Sequence, residues 1–220
     1  MLQKDNDTLC IKDRVIFKME KKEIKLIAKN YLNALFNSFD DEVIEKIELL
    51  SSLLISAWEN NRKVFICGNG GSGANSIHVA NDFLYGVGAT GDGPILPGLS
   101  IESLVSNQAI ITCLSNDIGY ENIFSYQLKV KASKNDILIV LSGSGNSKNI
   151  LNAINFANQN NIFSFAIVAF DGGECKNIVN DFIHINEDNM ELAEDSQMII
   201  FNICKKYLSL IKSKISLKNK

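Results

Sequence analysis

Two segments rich in glycine and serine have the composition of phosphate-binding loops. Residues 67–72 read Cys-Gly-Asn-Gly-Gly-Ser, and residues 142–147 read Ser-Gly-Ser-Gly-Asn-Ser. Glycine lets the backbone approach an anion closely, and the first N–H groups of a following helix favour negative charge. The hydroxyl groups of Ser142, Ser144 and Ser147 add donors. Glycine and serine also serve ordinary turns and helix caps, but two such segments in equivalent positions favour a phosphate site.

A histidine and a carboxylate follow the first of these segments. His78 and Asp82 are four residues apart, which places them on one face of a helix. An imidazole and a carboxylate so placed can move a proton on a shared substrate or bind a metal ion together. The alternative interpretation is a structural histidine beside a solvated aspartate. The other histidine, His184, lies in a strand pattern and is interpreted as structural.

Both loops lie between an apolar strand and a helix, in an alternating pattern of such elements. Apolar runs predict five strands, at about residues 64–67, 99–104, 136–141, 163–170 and 182–185. Helical segments lie between them. The helix after the first loop is predicted to run to about Tyr85, and the last helix is predicted over about 190–215. This pattern predicts an α/β fold, a three-layer αβα sandwich with a mostly parallel sheet of about five strands. Such sheets bind ligands at the carboxyl ends of their strands.

Two amphipathic helices are predicted before the first strand, over about residues 21–60. Asp40 or Asp41 can cap the second of them. The apolar face of this hairpin must be covered, and a partner subunit could cover it. We therefore divide the chain into a loose extension, residues 1–18, and a single domain, residues 19–220, that includes the hairpin.

Composition excludes several classes of protein. Hydrophobic residues make up 46% of the 220 residues, which is enough for a sizeable core. The net charge of −3 provides no general attraction to nucleic acid or to an anionic membrane. No apolar run reaches the roughly 18–20 residues of a membrane span. The five cysteines form no C-x-x-C pair, and the N-terminus does not resemble a signal peptide, so we expect a cytoplasmic protein with free thiols.

A nucleotide cofactor is not expected. Gly68, Gly70 and Gly73 satisfy the spacing G-x-G-x-x-G after a strand. A dinucleotide site also needs an acidic residue at the end of the second strand, about 20 residues later, and that region is instead rich in glycine and proline. The Gly-Lys-Ser/Thr ending of an ATP-binding loop is also missing. A nicotinamide-dependent enzyme is therefore the least favoured hypothesis.

Taken together, the motifs resemble the sugar isomerase (SIS) domain family. Within it the chain looks most like the phosphoheptose isomerases, which interconvert sedoheptulose 7-phosphate and a heptose 7-phosphate. The resemblance covers about residues 21–210 and implies a flavodoxin-like fold. It is carried by residues 67–72, 78–82 (His-Val-Ala-Asn-Asp), 115–119 (Ser-Asn-Asp-Ile-Gly), 141–147 and 171–173 (Asp-Gly-Gly).

The resemblance implies two sets of substrate contacts. The first set would contact the sugar, and it comprises Asn69, Gly70, Gly71, Ser72, Asn116, Asp117 and Asn202. The second set would hold the phosphate, and it comprises Ser142, Gly143, Ser144 and Ser147.

Four positions of the family's catalytic and zinc-binding set are also implied, and three of them are altered. His78 matches a family histidine, and Asp82 stands where the family has glutamate. On the last helix, Glu194 and Asn202 match a glutamine and a histidine of the family. An amide such as that of Asn202 does not exchange a proton near neutral pH as imidazole does. We therefore predict His78, Asp82 and Glu194 as the catalytic group and as a ligand set suited to zinc or manganese.

Two hypotheses of function follow. The first is an aldose–ketose isomerase of the phosphoheptose type that feeds heptose into surface polysaccharide. It would move a proton between C1 and C2 of the open-chain sugar through an enediol or enediolate. The second is a non-catalytic SIS module that binds a phosphosugar or a protein partner. The resemblance also implies a homo-oligomer, expected to be a tetramer, whose sites include residues of neighbouring subunits.

Overall fold

A parallel five-stranded sheet forms the centre of the molecule in this computed structural model, which describes residues 23–215. The strands are β1 (Val64–Gly68), β2 (Ile101–Ser103), β3 (Ile137–Ser142), β4 (Phe163–Val168) and β5 (Asp181–His184). Their order is β2-β1-β3-β4-β5, and every neighbouring pair is parallel. The predicted α/β class and strand number are confirmed.

Helices connect successive strands. They are α1 (23–37), α2 (Asp41–Glu59), α3 (Gly70–Asn81), α4 (Val87–Ala89), α5 (Gln108–Ile118), α6 (Ile123–Lys131), α7 (Lys148–Gln159), α8 (Cys175–Ile178) and α9 (Met190–Ile211). A π-helical turn (Asp82–Gly86) joins α3 to α4, and short 3₁₀ turns occupy Tyr120–Asn122 and Lys212–Lys214. None of the helices within residues 23–215 is long and apolar enough to cross a membrane.

Two apolar cores lie on opposite faces of the sheet, because successive strand residues point to opposite sides. Ile66, Ile139 and Ile167 belong to one core, together with apolar residues of α2, α3 and α9. Leu138 and Val140 belong to the other core, together with apolar residues of α6 and α7. This arrangement is the predicted three-layer sandwich.

The two N-terminal helices differ in their surroundings. The carboxylate of Asp40 caps α2 by accepting a hydrogen bond of 2.9 Å from the backbone N–H of Val43. Helix α2 then buries Leu50 and Leu54 completely in the first core. Helix α1 belongs to a separate unit that ends at Ser38. The prediction of an extension over residues 1–18 lies outside the described residues.

The helix after the first loop departs from the prediction near its end. We predicted one helix from the loop to about Tyr85, whereas α3 ends at Asn81 and the chain continues in a π-helical turn. The periodicity of apolar residues cannot distinguish these two forms over so short a segment. The turn begins at Asp82, one of the predicted catalytic residues.

Candidate functional site

The two glycine-rich loops meet at the carboxyl edge of the sheet. Strands β1 and β3 are neighbours, with Gly68 paired to Leu141, so the loops that follow them start side by side. The side-chain amides of Asn69 and Asn149 join the loops through reciprocal hydrogen bonds of 2.9 and 2.8 Å. Asn149 is buried in the first turn of α7. This pair fixes the predicted sugar-binding loop against the predicted phosphate-binding loop.

The second loop is shaped around its glycines. Gly145 has a φ of +65°, and a Cβ atom there would collide with the backbone oxygen of Gly172. The segment 171–173 therefore packs directly against this loop. Just after that segment, the N–H of Glu174 donates a 2.9 Å hydrogen bond to Asn146 Oδ1 in the loop. Ser144 and Ser147 remain partly exposed at the start of α7, where the helix dipole favours an anion.

Ser142 and Ser72 have different surroundings from these two serines. The buried hydroxyl of Ser142 accepts a 3.1 Å hydrogen bond from the N–H of Gly145, so it stabilises the loop turn. Ser72 was predicted to contact the sugar, but its side chain is buried and accepts a 3.0 Å hydrogen bond from Gln197 Nε2. The reason is that α9 packs on this face of α3. Only the backbone of Ser72 remains for a role in the loop.

The segment after α5 brings a tyrosine to the first loop. Tyr120 donates a 2.8 Å hydrogen bond from its hydroxyl to Asn69 Oδ1. Asn116 and Asp117 lie nearby in sequence, exposed near the end of α5, and the amide of Asn116 donates to Asp117 Oδ1 at 2.8 Å. The exposed thiol of Cys113 donates a hydrogen bond to Asp117 Oδ2. This hydrogen bond and the negative charge of Asp117 both raise the pKa of the thiol.

Sequence reasoning missed Tyr120 and Asn149 as members of the site. Tyr120 directly follows the segment 115–119, and Asn149 lies two residues after Ser147. Both are polar residues beside a predicted loop, which was the only available signal. The contact between Asn69 and Asn149 spans 80 positions and therefore depends on the pairing of β1 with β3.

Glu194 lies against the start of α3. A Cβ atom at Gly71 would collide with its carboxylate, so the absence of a side chain at Gly71 leaves the space for Glu194. The backbone oxygen of Glu194 also accepts a 2.9 Å hydrogen bond from Asn75 Nδ2. The helix dipole stabilises a carboxylate at the N-terminus of α3. The same dipole would attract the negatively charged oxygen of a reacting sugar to this place.

His78 and Asp82 form a second polar group near the other end of α3. Asp82 Oδ2 lies 2.7 Å from Lys205 Nζ and 3.6 Å from His78 Nε2. Lys205 was not predicted as a site residue. Asn202, three residues earlier on α9, is exposed.

The three predicted catalytic residues are not gathered in one place. At about 1.5 Å of rise per residue, the eleven positions from Gly71 to Asp82 span about 17 Å along the helix. Among residues 23–215, no three His, Cys, Asp or Glu side chains are placed to hold a metal ion together. The ligand set of His78, Asp82 and Glu194 therefore does not fit zinc or manganese within one chain, and the ammonium of Lys205 already pairs with Asp82.

The thiols beside the loops are buried. Burial raises the pKa of Cys67 at the end of β1 far above its ordinary range. Burial also raises the pKa of Cys175 to about 12. A thiol acts as a nucleophile through its thiolate, so neither cysteine is suited to covalent catalysis at neutral pH.

Comparison with known proteins identifies the family. The SIS domain family matches residues 29–169. The chain is 35% identical to a phosphoheptose isomerase of Sulfurimonas denitrificans over 164 residues, 74% of this chain and 82% of that protein. It is 32% identical to phosphoheptose isomerase 2 of Campylobacter jejuni over 74% of this chain and 79% of that protein.

A solved structure supports the same family assignment. The phosphoheptose isomerase of Francisella tularensis superposes with a TM-score of 0.75 at 25% identity, covering 85% of this chain and 96% of that one. The chain belongs to the SIS domain family and, within it, is phosphoheptose isomerase-like.

Proposed function

We propose that the protein is an aldose–ketose isomerase that interconverts sedoheptulose 7-phosphate and a heptose 7-phosphate. The observation that carries this proposal is the pair of loops joined by Asn69 and Asn149, with Ser144 and Ser147 partly exposed just before α7. The loops offer an uncharged cradle for a phosphate and amide groups for the sugar beside it. The 35% identity to a phosphoheptose isomerase supports the substrate class. We expect the protein to act in the cytoplasm.

The reaction moves a proton between two neighbouring carbons of the open-chain sugar. A carboxylate takes the proton from C1 of the ketose, the electrons of that C–H bond form a C=C bond, and the carbonyl electrons move to the oxygen at C2. The oxygen at C2 then gains a proton and the hydroxyl group at C1 loses one. Protonation of C2 moves the electrons of the C=C bond to C2 and forms the carbonyl group at C1, which yields the aldose. The base must lie within hydrogen-bond reach of the carbon-bound proton. Asp82, with His78 beside it, and Glu194 are the groups of this chain that fit the role.

The separation between these groups favours sites shared between subunits. The span of about 17 Å between Gly71 and Asp82 is longer than a seven-carbon sugar phosphate. We therefore propose that Asp82 and His78 serve a substrate held by the loops of a second copy of the chain, in a homo-oligomer that we expect to be a tetramer.

An apolar surface around His78 and Asn202 supports this assembly. Exposed apolar side chains line the outer faces of α3, the π-helical turn and α9. They are Ile77, Leu84, Tyr85, Ile203, Tyr207 and Leu210. Contiguous exposed apolar residues mark sites of protein association more often than free surface. We will call these six residues the apolar surface.

Proton exchange with solvent tests the proposed reaction. Purified protein is incubated with sedoheptulose 7-phosphate in D2O and followed by NMR. We expect an aldose signal with deuterium at C2, and we expect Asp82→Asn and Glu194→Gln each to slow its appearance at least tenfold. Absence of exchange and of aldose with the wild-type protein would contradict the proposed function.

A non-catalytic phosphosugar-binding module is the second candidate function. Asn202 favours it, because an exposed amide stands where the family resemblance implies a histidine, and an amide cannot exchange a proton near neutral pH as imidazole does. This candidate requires a rise in melting temperature with sedoheptulose 7-phosphate but no exchange in the NMR experiment. The two functions are thereby distinguished in one series of samples.

A further inference from the structure

Lys205 is the positively charged member of the group that it forms with His78 and Asp82 at the end of α3. Its ammonium lies 2.7 Å from Asp82 Oδ2, and His78 Nε2 lies 3.6 Å from the same oxygen. The side chains of Asp82 and Lys205 are 19% and 26% exposed, so the pair is partly shielded from water. Shielding strengthens a charge-assisted hydrogen bond relative to a fully exposed ion pair. Asp82 is therefore held in one orientation by a side chain from a different helix.

The backbone around the pair leaves space for this lysine. The π-helical turn starts at Asp82 and includes Gly86. A Cβ atom at Gly86 would lie 3.0 Å from Lys205 Cε and 3.3 Å from its Nζ, so an alanine here would require the end of Lys205 to shift by a few tenths of an ångström. Gly86 has ordinary helical angles, φ −60° and ψ −41°, so its backbone conformation does not require glycine. Single π-helical turns inside helices occur frequently at functional sites.

Lys205 supplies a positive charge in direct contact with the carboxylate of Asp82. The described residues do not assemble a three-ligand metal group, whereas the ammonium makes a direct contact with the carboxylate. A fixed positive charge at this place orients the base and offsets the negative charge that develops on the sugar during enediolate formation. The chain therefore contains within α9 a cation suited to the acid–base step.

We propose that Lys205 is a positioning residue for the proton transfer by Asp82, a proposal that rests on the isomerase function proposed above. Its ammonium binds Oδ2, so that the carboxylate is held in place while it takes the proton from the substrate. In the step itself the C–H bond breaks, an O–H bond forms at Asp82, and the electron pair passes into the enediolate. Lys205 keeps its protons throughout.

Three variants and one control test this role by steady-state kinetics with sedoheptulose 7-phosphate. Lys205→Met removes the charge, Lys205→Arg retains it, and Gly86→Ala displaces it. Lys206→Met is the matched control, because Lys206 is an exposed neighbour on the same helix. Circular dichroism and thermal melting establish that each variant is folded.

We expect Lys205→Met to lower kcat about tenfold to hundredfold, since misplacement of a base by about an ångström has effects of this size. KM should stay within about twofold of the wild-type value, because Lys205 is proposed to orient the base and not to bind the phosphate. Gly86→Ala should lower kcat in the same direction, Lys205→Arg should restore most of it, and Lys206→Met should match the wild type.

Two results would overturn the role of Lys205. The first is a wild-type kcat in folded Lys205→Met, and the second is an equal loss of kcat in Lys205→Arg and Lys205→Met. Either result leaves the isomerase function intact, because the wild-type protein still turns over. Absence of turnover in the wild-type protein contradicts the proposed function itself, and this inference with it.

Discussion

Ser147 stands immediately before the first turn of α7, at the end of the serine-rich loop. Its side chain does not cap the helix within the structure described, so the hydroxyl is available to a bound phosphate. Aspartate and asparagine are both good residues for this helix-capping position, but only aspartate carries a negative charge. The two substitutions therefore separate phosphate repulsion from any effect on the helix.

We expect Ser147→Asp to abolish stabilisation by sedoheptulose 7-phosphate and by inorganic phosphate, because the carboxylate repels the anion. Ser147→Asn should keep most of that stabilisation and a similar melting temperature without ligand. Differential scanning fluorimetry over a range of ligand concentrations measures both effects. Equal stabilisation of the aspartate variant and the wild type would refute the assignment of this loop to phosphate.

Cys113 reports on the predicted sugar contact Asp117. Because Asp117 raises the pKa of this thiol, less thiolate is present at pH 8 than for an ordinary cysteine. We expect Asp117→Asn to lower that pKa and to speed alkylation by iodoacetamide about twofold or more. Mass spectrometry of the labelled peptide measures the rate. Buried Cys67 should stay unlabelled in both proteins and serves as the internal control.

A slower or unchanged rate in Asp117→Asn would contradict this account of Cys113. Addition of sedoheptulose 7-phosphate should also protect Cys113 in the wild-type protein, because the thiol lies one helical turn before Asp117. Undiminished labelling at saturating ligand would place the sugar elsewhere.

At the scale of elements, the contact between α3 and α9 positions the two proposed catalytic carboxylates, Asp82 and Glu194. The buried amide of Gln197 donates to Ser72 Oγ at 3.0 Å and accepts from Asn75 Nδ2 at 3.0 Å. Further along, Asp82 follows directly after α3 and contacts Lys205 on α9. This polar network thus fixes the position of α9 along α3, and with it the contact between the carboxylate of Glu194 and Gly71.

We expect Gln197→Leu to lower the free energy of unfolding by about 1–3 kcal/mol, because two partly or fully buried polar groups lose their partner. Urea unfolding followed by circular dichroism measures the change. Gln159→Leu makes the same substitution at an exposed position on α7 and should have little effect. A Gln197→Leu protein as stable as the wild type would show that the network does not hold the helices together.

At the scale of the whole molecule, the apolar surface lies around His78. Leu84 in the π-helical turn is 57% exposed, which leaves much of its side chain available to another subunit. Val130 on α6 is 69% exposed and lies on a helix of the opposite layer, so it provides a matched position outside the proposed interface.

We expect Leu84→Glu to shift the protein to a smaller assembly and to abolish isomerase turnover, because a charge placed in an apolar interface must be desolvated. Val130→Glu should keep the wild-type mass and activity. Size-exclusion chromatography with light scattering measures the mass. A Leu84→Glu protein with wild-type mass would exclude Leu84 from the interface between subunits.

The sequence alone determined the features that depend on neighbouring residues. Apolar runs of strand length alternating with helical periods predicted a mostly parallel sheet of about five strands with helices on both faces, and the structure has five strands, all parallel. The two loops and the spacing of His78 with Asp82 were also readable, and the cap of α2 was narrowed to Asp40 or Asp41, of which the structure has Asp40. These features could be predicted because strand, helix and turn preferences act over a few residues.

The tertiary structure decided which distant residues meet. Pairing of β1 with β3 brings Asn69 to Asn149, and packing of α3 on α9 brings Lys205 to Asp82, across 80 and 123 positions of the chain. The same packing buries the hydroxyl of Ser72 and separates Glu194 from Asp82. No local pattern encodes such contacts, because they arise from the burial of apolar faces that lie far apart in the sequence.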